Sequence, residues 1–236
     1  MRKNRNMLFS DEQRKEFLGS IRTSEEDYKA ILEKGMSLDE AFSYAYLDVC
    51  RTLRGIRKCV GNSINVRDQC IEKIRKFCKK NLAKVQCEQA FDLKHKELSE
   101  IIREFYCEHN YNEFTIGKTQ KWINMAFKYA CIYDKEDAKM LNRIFNYCHV
   151  PIDRYIANPI VNELGVALPK YDGFKMPKYV AFDASKCNYS WSKIDNYDDY
   201  LACQNSIREI LRQNNPQQNA LEWEYAYWMS EKEKHR

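Results

Sequence analysis

Phe114-Thr-Ile-Gly-Lys-Thr-Gln-Lys-Trp-Ile-Asn-Met-Ala-Phe-Lys-Tyr129, followed later by Cys148-His-Val-Pro-Ile-Asp-Arg154, is the part of this chain whose reading decides the rest. The first run reads as a turn opening a helix, with Lys121 in its first turns. The second reads as a Pro-led helix start carrying Asp153. A helix N-terminus carries partial positive charge and spare N–H groups. An ammonium there is disfavoured, so the Lys121 pKa is expected to move down toward a nucleophilic neutral amine, while Asp153 stays ionised. The two effects oppose each other at close range, because Asp153 stabilises the Lys121 ammonium. Burial has to win for the lysine to act as a nucleophile.

The turn itself offers a second function. Main-chain N–H groups at a Gly-containing turn before a helix hold phosphate oxygens, which makes Thr115, Gly117 and Lys118 the candidate contacts to a nucleic-acid backbone. Lys121, Met125 and Lys128 share one helix face. Gln120 and Trp122 stand beside them around a candidate pocket.

Outward from this stretch, the pattern is helical throughout. Only 7 Gly and 5 Pro occur in 236 residues, so long helices are expected. Ser10-Asp-Glu-Gln caps a helix through about Ile21, and Thr23-Ser-Glu-Glu starts another that ends at Gly35. Ser37-Leu-Asp-Glu has the form of a capping box, and Gly55 or Gly61 ends its helix. Apolar spacing predicts one helix from Asn65 to about Ala90 and a further one from Lys94 to Cys107. After a turn at 109–114 come the helix near Lys118, one around 136–145, and the Pro-led helix ending near Asn158-Pro159. Residues 159–190 read as an irregular connection, with a short strand at Lys178-Tyr-Val-Ala-Phe-Asp183. Asp195 to Arg212 and Leu221 to Trp228 return to helix. The class is all-α: one helical domain over 1–236, either undivided or in two lobes at about 1–108 and 109–236 with a cleft between them.

Composition narrows the function classes. Hydrophobic residues make up 44% and charged residues 31%, which suits a globular chain with a substantial core. No apolar run approaches the roughly 18 residues that span a bilayer. Met1-Arg-Lys-Asn-Arg is basic, but only Met7-Leu-Phe follows, so no secretory segment is expected. The ten cysteines show no two-residue spacing of the zinc or iron–sulfur kind and read as reduced cytosolic thiols. No metal or cofactor is expected. The net charge of +5 is uneven. Residues 51–103 hold fourteen Lys and Arg against six acids. That excess suits a polyanion or a set of solvated helix faces.

The turn–helix with its lysine, followed by His149-Val-Pro-Ile-Asp153, resembles the helix-hairpin-helix DNA glycosylase superfamily. It is most similar to its 8-oxoguanine glycosylases, where a catalytic lysine follows the hairpin and a Val-Pro-Val-Asp-like segment comes later. The extra helical stretch at 134–146 is similar to the archaeal branch. The likeness covers about 40 residues, and the helical remainder is compatible with it. Against the family pattern, the hairpin here carries only Gly117, and Tyr147-Cys-His-Val replaces the glycine of the Gly-Pro-Asp loop.

The resemblance implies a two-lobed helix-hairpin-helix fold and a glycosylase/AP lyase that excises an oxidised purine from double-stranded DNA. Lys121 would attack the sugar C1′ of an extruded nucleotide, and Asp153 would steady the developing positive charge. The base pocket would draw on Gln120, Met125 and Lys128, with Trp191 stacking and Asp195 accepting from the base edge. A cytoplasmic location follows, nucleoid-associated in a prokaryote, with no membrane and no obligate protein partner.

The residues also carry plainer readings. Without the resemblance, Lys121 reads first as an exposed helix lysine, and Lys128 as a surface or salt-bridged one. His149 reads as a hydrogen-bonded structural histidine, Trp191 as a core anchor and Asp195 as the N-cap of the next helix. The aromatic group Trp223, Tyr225, Tyr227 and Trp228 reads first as a packing strap. A non-catalytic nucleic-acid-binding or interaction module on the same scaffold is the alternative function, and a purely structural helical protein is the third.

Overall fold

The structure, a computed structural model, describes residues 9–20, 24–133, 138–174, 182–184 and 186–233. Among them are eleven α-helices and no strand. The segment 178–183 read as a strand lies mostly outside the described residues.

Capping starts several of the helices. α1 (Asp11–Ser20) follows Ser10, whose hydroxyl accepts the Gln13 N–H while the Gln13 amide accepts the Ser10 N–H. α2 (Glu25–Lys34) starts at the Ser24 cap and stops at Gly35. α3 (Leu38–Cys50) has the expected capping box: Ser37 Oγ takes the Glu40 N–H and Glu40 Oε2 takes the Ser37 N–H at 2.6 Å. α3 ends before either glycine. Gly55 (φ 76°) and Gly61 (φ 64°) instead bracket the short α4 (Ile56–Val60), since both turns need the left-handed backbone that glycine takes without strain.

Three further boundaries depart from expectation. The helix expected to run to Ala90 stops at Asn81. α5 (Ser63–Asn81) gives way to a 3-10 turn at Leu82–Lys84, and α6 (Glu88–Glu108) then starts six residues earlier than the apolar pattern indicated. Buried Leu82 and Val85 continue the apolar spacing across this break, so periodicity alone does not reveal it.

The second departure is at α9 (Arg154–Asn162), which follows α7 (Ile116–Ile132) and α8 (Ala138–Ile144). It does not begin at Pro151. Residues 148–153 are extended, and Asp153 is the cap, accepting N–H groups of Tyr155 (2.8 Å) and Ile156 (3.0 Å). α9 also runs through Pro159. The buried Ile156, Ala157 and Ile160 outweigh the one hydrogen bond the proline removes. Third, α10 (Tyr197–Asn214) is capped by Asn196, not Asp195; α11 (Ala220–Glu233) completes the order.

Every helix contributes side chains to one continuous buried cluster, from Phe9 to Trp228. α7 lies at its centre, and all seventeen of its residues are buried. A helix buried all round is ordinarily apolar. This one carries Lys118, Gln120, Lys121, Asn124 and Lys128 into the interior, so each needs a partner inside the protein. No disulfide forms among the described residues, and five of the ten cysteines are buried. No described helix is long and apolar enough to cross a membrane.

Candidate active site

The partners of α7 come chiefly from the extended 148–153 segment. Its main chain runs through the interior and needs hydrogen bonds that no sheet provides. Side-chain amides supply them. Gln204 of α10 pairs with both the N–H and the carbonyl of Val150, at 2.9 and 2.8 Å. Two residues on, Gln120 of α7 does the same for Ile152, at 3.1 and 2.8 Å. Asn124 adds a bond to the Val150 carbonyl.

A second layer anchors the segment at His149. Its Nε2 meets Asp92 Oδ1 at 2.8 Å and its Nδ1 meets the Tyr200 hydroxyl at 2.8 Å. Asp92 also receives both terminal nitrogens of Arg208. His95 joins through Asn124 and Tyr197, both at 2.9 Å. His149 is therefore the structural histidine its neighbours suggested. Asp92 accepts from its Nε2–H, which leaves Nδ1 to accept from Tyr200.

This scaffold delivers Asp153 to Lys121. Nζ and Oδ2 are 2.6 Å apart, with the two side chains 4% and 10% exposed. Lys121 is thus not an exposed helix lysine. Burial pulls its pKa down, but Asp153, with Asp48 and Glu224 behind it, outweighs burial and leaves it above the ordinary lysine value. Of the two opposing effects, the pull of Asp153 prevails over burial, and Lys121 rests as an ammonium. Burial works against the Asp153 carboxylate too, but the Lys121 charge and the two cap hydrogen bonds more than offset it, and its pKa is lowered.

Lys128 lies seven residues further along α7, about 10 Å along its axis. It is fully buried and ion-paired with Glu224 of α11 at 2.6 Å, although the contact is poorly aligned as a hydrogen bond. Three rings surround the amine: Trp228 at 4.6 Å, Phe17 at 4.9 Å and Tyr225 at 5.8 Å. Here burial wins. The Lys128 pKa is lowered and that of Glu224 raised, each against the pull of the other. A buried pair without hydrogen-bond partners beyond one close contact is costly to hold, and such arrangements concentrate at functional sites.

The remaining candidates separate. Gln120 spends its amide on Ile152, Gly117 and Asn124, so it positions the Asp153 segment and has no group left for a base. Met125 is buried on α7. Trp191 and Asp195 lie at the N-terminus of α7, apart from the Lys128 box. The Gly117 N–H donates to the Ile194 carbonyl at 2.8 Å, and the Ile116 N–H reaches Asp195 Oδ1 at 3.3 Å. Thr115 Oγ1 takes the Lys118 N–H and donates to the Ser192 carbonyl. The first N–H groups of α7 are thus engaged by the 192–195 segment and the Thr115 cap. Asp195 also pairs with Arg103 at 3.0 Å. Lys118 Nζ donates to the Glu113 carbonyl at 2.6 Å and borders an open cleft.

Compared with family models, characterised proteins and solved structures, the chain matches none. The functional reading rests on this geometry. Glu224, Trp228, Phe17 and Asp92 were not candidates from the sequence; only the aromatic run at 223–228 hinted that α11 packs over something.

Two expected results follow from the scaffold. Burial, together with the Arg208 charge, pushes His149 down to about 4, and burial holds His95 well below the usual histidine range. Burial raises Asp92, but His149 and Arg208 outweigh it and hold it at about 2. Between pH 6.5 and 4 the unfolded chain therefore binds more protons at these histidines, so folded stability falls as pH falls. His149 alone accounts for about 3 kcal/mol by pH 4. Asp92 titrates below that window and adds its loss only under about pH 4. Urea midpoints at pH 7, 5.5 and 4.5 check the trend.

The second concerns Gly117. A methyl group there would lie 1.9 Å from the Trp191 carbonyl oxygen, a backbone atom. Gly117→Ala is expected to cost about 1–3 kcal/mol by forcing the 191–195 segment away from α7. Thermal unfolding measures it, and an unchanged midpoint would contradict the close approach.

Proposed function

We propose that this protein is a DNA glycosylase with AP lyase activity that removes an oxidised purine through a lysine Schiff base. The observation that carries the reading is the buried Lys121–Asp153 pair at 2.6 Å, with Asp153 capping α9, Lys121 in the second turn of α7, and a dedicated amide scaffold holding the segment between. The second buried pair, in its aromatic box, supports it.

The chemistry runs as follows. Asp153 takes the Lys121 proton as the extruded nucleotide approaches. The free amine forms a bond to C1′ while the glycosidic C1′–N bond breaks, and the proton taken up by Asp153 passes to the departing base, which leaves Asp153 ionised again. Asp153 offsets the positive charge that develops on the sugar. Opening of the sugar ring then gives the iminium ion, from which loss of a C2′ proton expels the 3′ phosphate. Lys128 and Glu224, the second buried charged pair, are the groups proposed to read the base. Glu224 accepts from its N–H edge and Lys128 donates to a carbonyl oxygen.

Borohydride trapping on a duplex containing one 8-oxoguanine, beside an undamaged duplex, tests this. The expected result is a covalent adduct that requires the lesion. Absence of an adduct on that duplex, on abasic DNA and on single strands would favour the non-catalytic nucleic-acid-binding module.

A further inference from the structure

An open cleft of about 1120 Å³ lies beside the α7 N-terminus, away from the Lys128 box. One wall is the α3–α4 turn, with Arg51 and Arg54. The other is the 170–174 segment together with 190–199. On that second wall Tyr171 and Phe174 stack, ring centres 5.2 Å apart and planes 22° apart. Tyr189 braces Phe174 edge-on at 5.0 Å. The Tyr171 hydroxyl accepts the Ser190 N–H at 2.7 Å and donates to the Asn188 carbonyl, which fixes its ring. Lys193 Nζ stands 5.9 Å from that ring. Both rings are half-buried and line the cleft.

The charges are as informative as the rings. Arg51, Arg54, Lys170 and Lys193 line the cleft and form no ion pair among the described residues. Lys118 faces Arg54 closely enough that their like charges repel, and burial with this repulsion lowers its pKa. Five cations line the cleft against four acids, and Asp195 is already neutralised by Arg103. That modest excess suits one or two phosphates and not a long polyanion. Because the α7 N–H groups are engaged, these phosphates are held by side chains.

We infer that this cleft binds an unpaired nucleotide of a nucleic-acid strand, its base on the Tyr171–Phe174 stack and its phosphate between Arg51, Arg54 and Lys118. A rigid aromatic platform beside unpaired cations is the arrangement that holds bases without reading their sequence. The inference does not depend on the lysine chemistry, and it serves an enzyme that opens a duplex equally well.

Fluorescence anisotropy with 5′-labelled hexathymidylate and the full chain tests it. The parent binds. Phe174→Ala weakens binding about five-fold or more, as loss of one base stack does. Phe174→Trp restores it, which separates stacking from a folding defect. Arg54→Gln reduces the salt slope by about 0.7, the signature of one single-strand phosphate contact. Equal affinity of the parent and both weakening variants, or displacement of the oligonucleotide by oligoglutamate with indifference to Phe174, overturns the proposal. Borohydride trapping is read separately on the parent. Hexathymidylate binding without any adduct leaves this inference standing and removes the lysine chemistry, and an adduct with Phe174-independent binding does the reverse.

Discussion

Replacing Lys121 by glutamine is expected to abolish the borohydride adduct and to destabilise the fold by about 3–5 kcal/mol, because it leaves the buried Asp153 carboxylate without its counter-ion. The stability loss by itself would confuse the result, since an unfolded variant also fails to trap. Lys121→Gln/Asp153→Asn resolves this. Asp153 uses Oδ1 to cap α9 and Oδ2 to meet Lys121. An asparagine keeps the capping oxygen and presents a neutral amide toward glutamine. The double variant is expected to recover most of the stability measured by urea unfolding and to trap nothing. A stable double variant that still forms an adduct would place the nucleophile elsewhere, with Lys128, whose pKa is lowered, the first to examine.

Asp153→Asn alone gives the complementary result. Lys121 then loses its nearest anion, and its pKa drops toward that of a buried unpaired amine. Trapping on abasic DNA, which needs the free amine but no base departure, is expected to persist and extend to lower pH. Base release from intact 8-oxoguanine DNA is expected to fall, because nothing offsets the charge on the sugar. Opposite responses of the two substrates would distinguish Asp153 as a charge stabiliser from a purely structural cap.

Parts of this arrangement were legible in the sequence and parts were not, for physical reasons. Ser24 and Ser37 mark helix starts because a short hydroxyl side chain satisfies backbone N–H groups locally, whereas Thr115, read as part of a phosphate-holding turn, caps α7 in the same way. Lys121 and Asp153 stood out by their positions near two expected helix starts. The direction of the Lys121 shift was not legible, because it is the balance of burial against Asp153, backed by Asp48 and Glu224 from elsewhere in the chain, and neither the burial nor the closeness of these groups can be read from the sequence. Gln120 illustrates the same limit. Beside a candidate lysine it reads as a base contact, yet the structure spends it as a substitute strand partner for Ile152. Asp195 read as a helix cap because Asp suits that role; Asn196 takes it, which frees Asp195 for Ile116 and Arg103. The helix break at 82–87 was hidden because the apolar spacing continues through it.

The Lys128–Glu224 pair gives the sharpest separation of stability from function. Truncating Glu224 to alanine strands a buried ammonium among Phe17, Tyr225 and Trp228, and is expected to cost about 3–5 kcal/mol. Replacing both partners, Lys128→Met/Glu224→Leu, removes the charges while keeping side chains of similar volume. That exchange is expected to be neutral or to stabilise the fold by about 1–4 kcal/mol, because the desolvation penalty disappears with the charges. If the box reads a purine, the same variant loses two hydrogen bonds to charged groups. At about 1.5 kcal/mol or more each, this lowers single-turnover excision of 8-oxoguanine at least about 100-fold. Abasic DNA carries no base to read, so trapping on it should change little. A more stable protein that no longer excises the lesion identifies a pair kept at a cost in stability for recognition. Full excision by the same variant would reduce the box to a packing feature and move base recognition out of the α7–α11 contact.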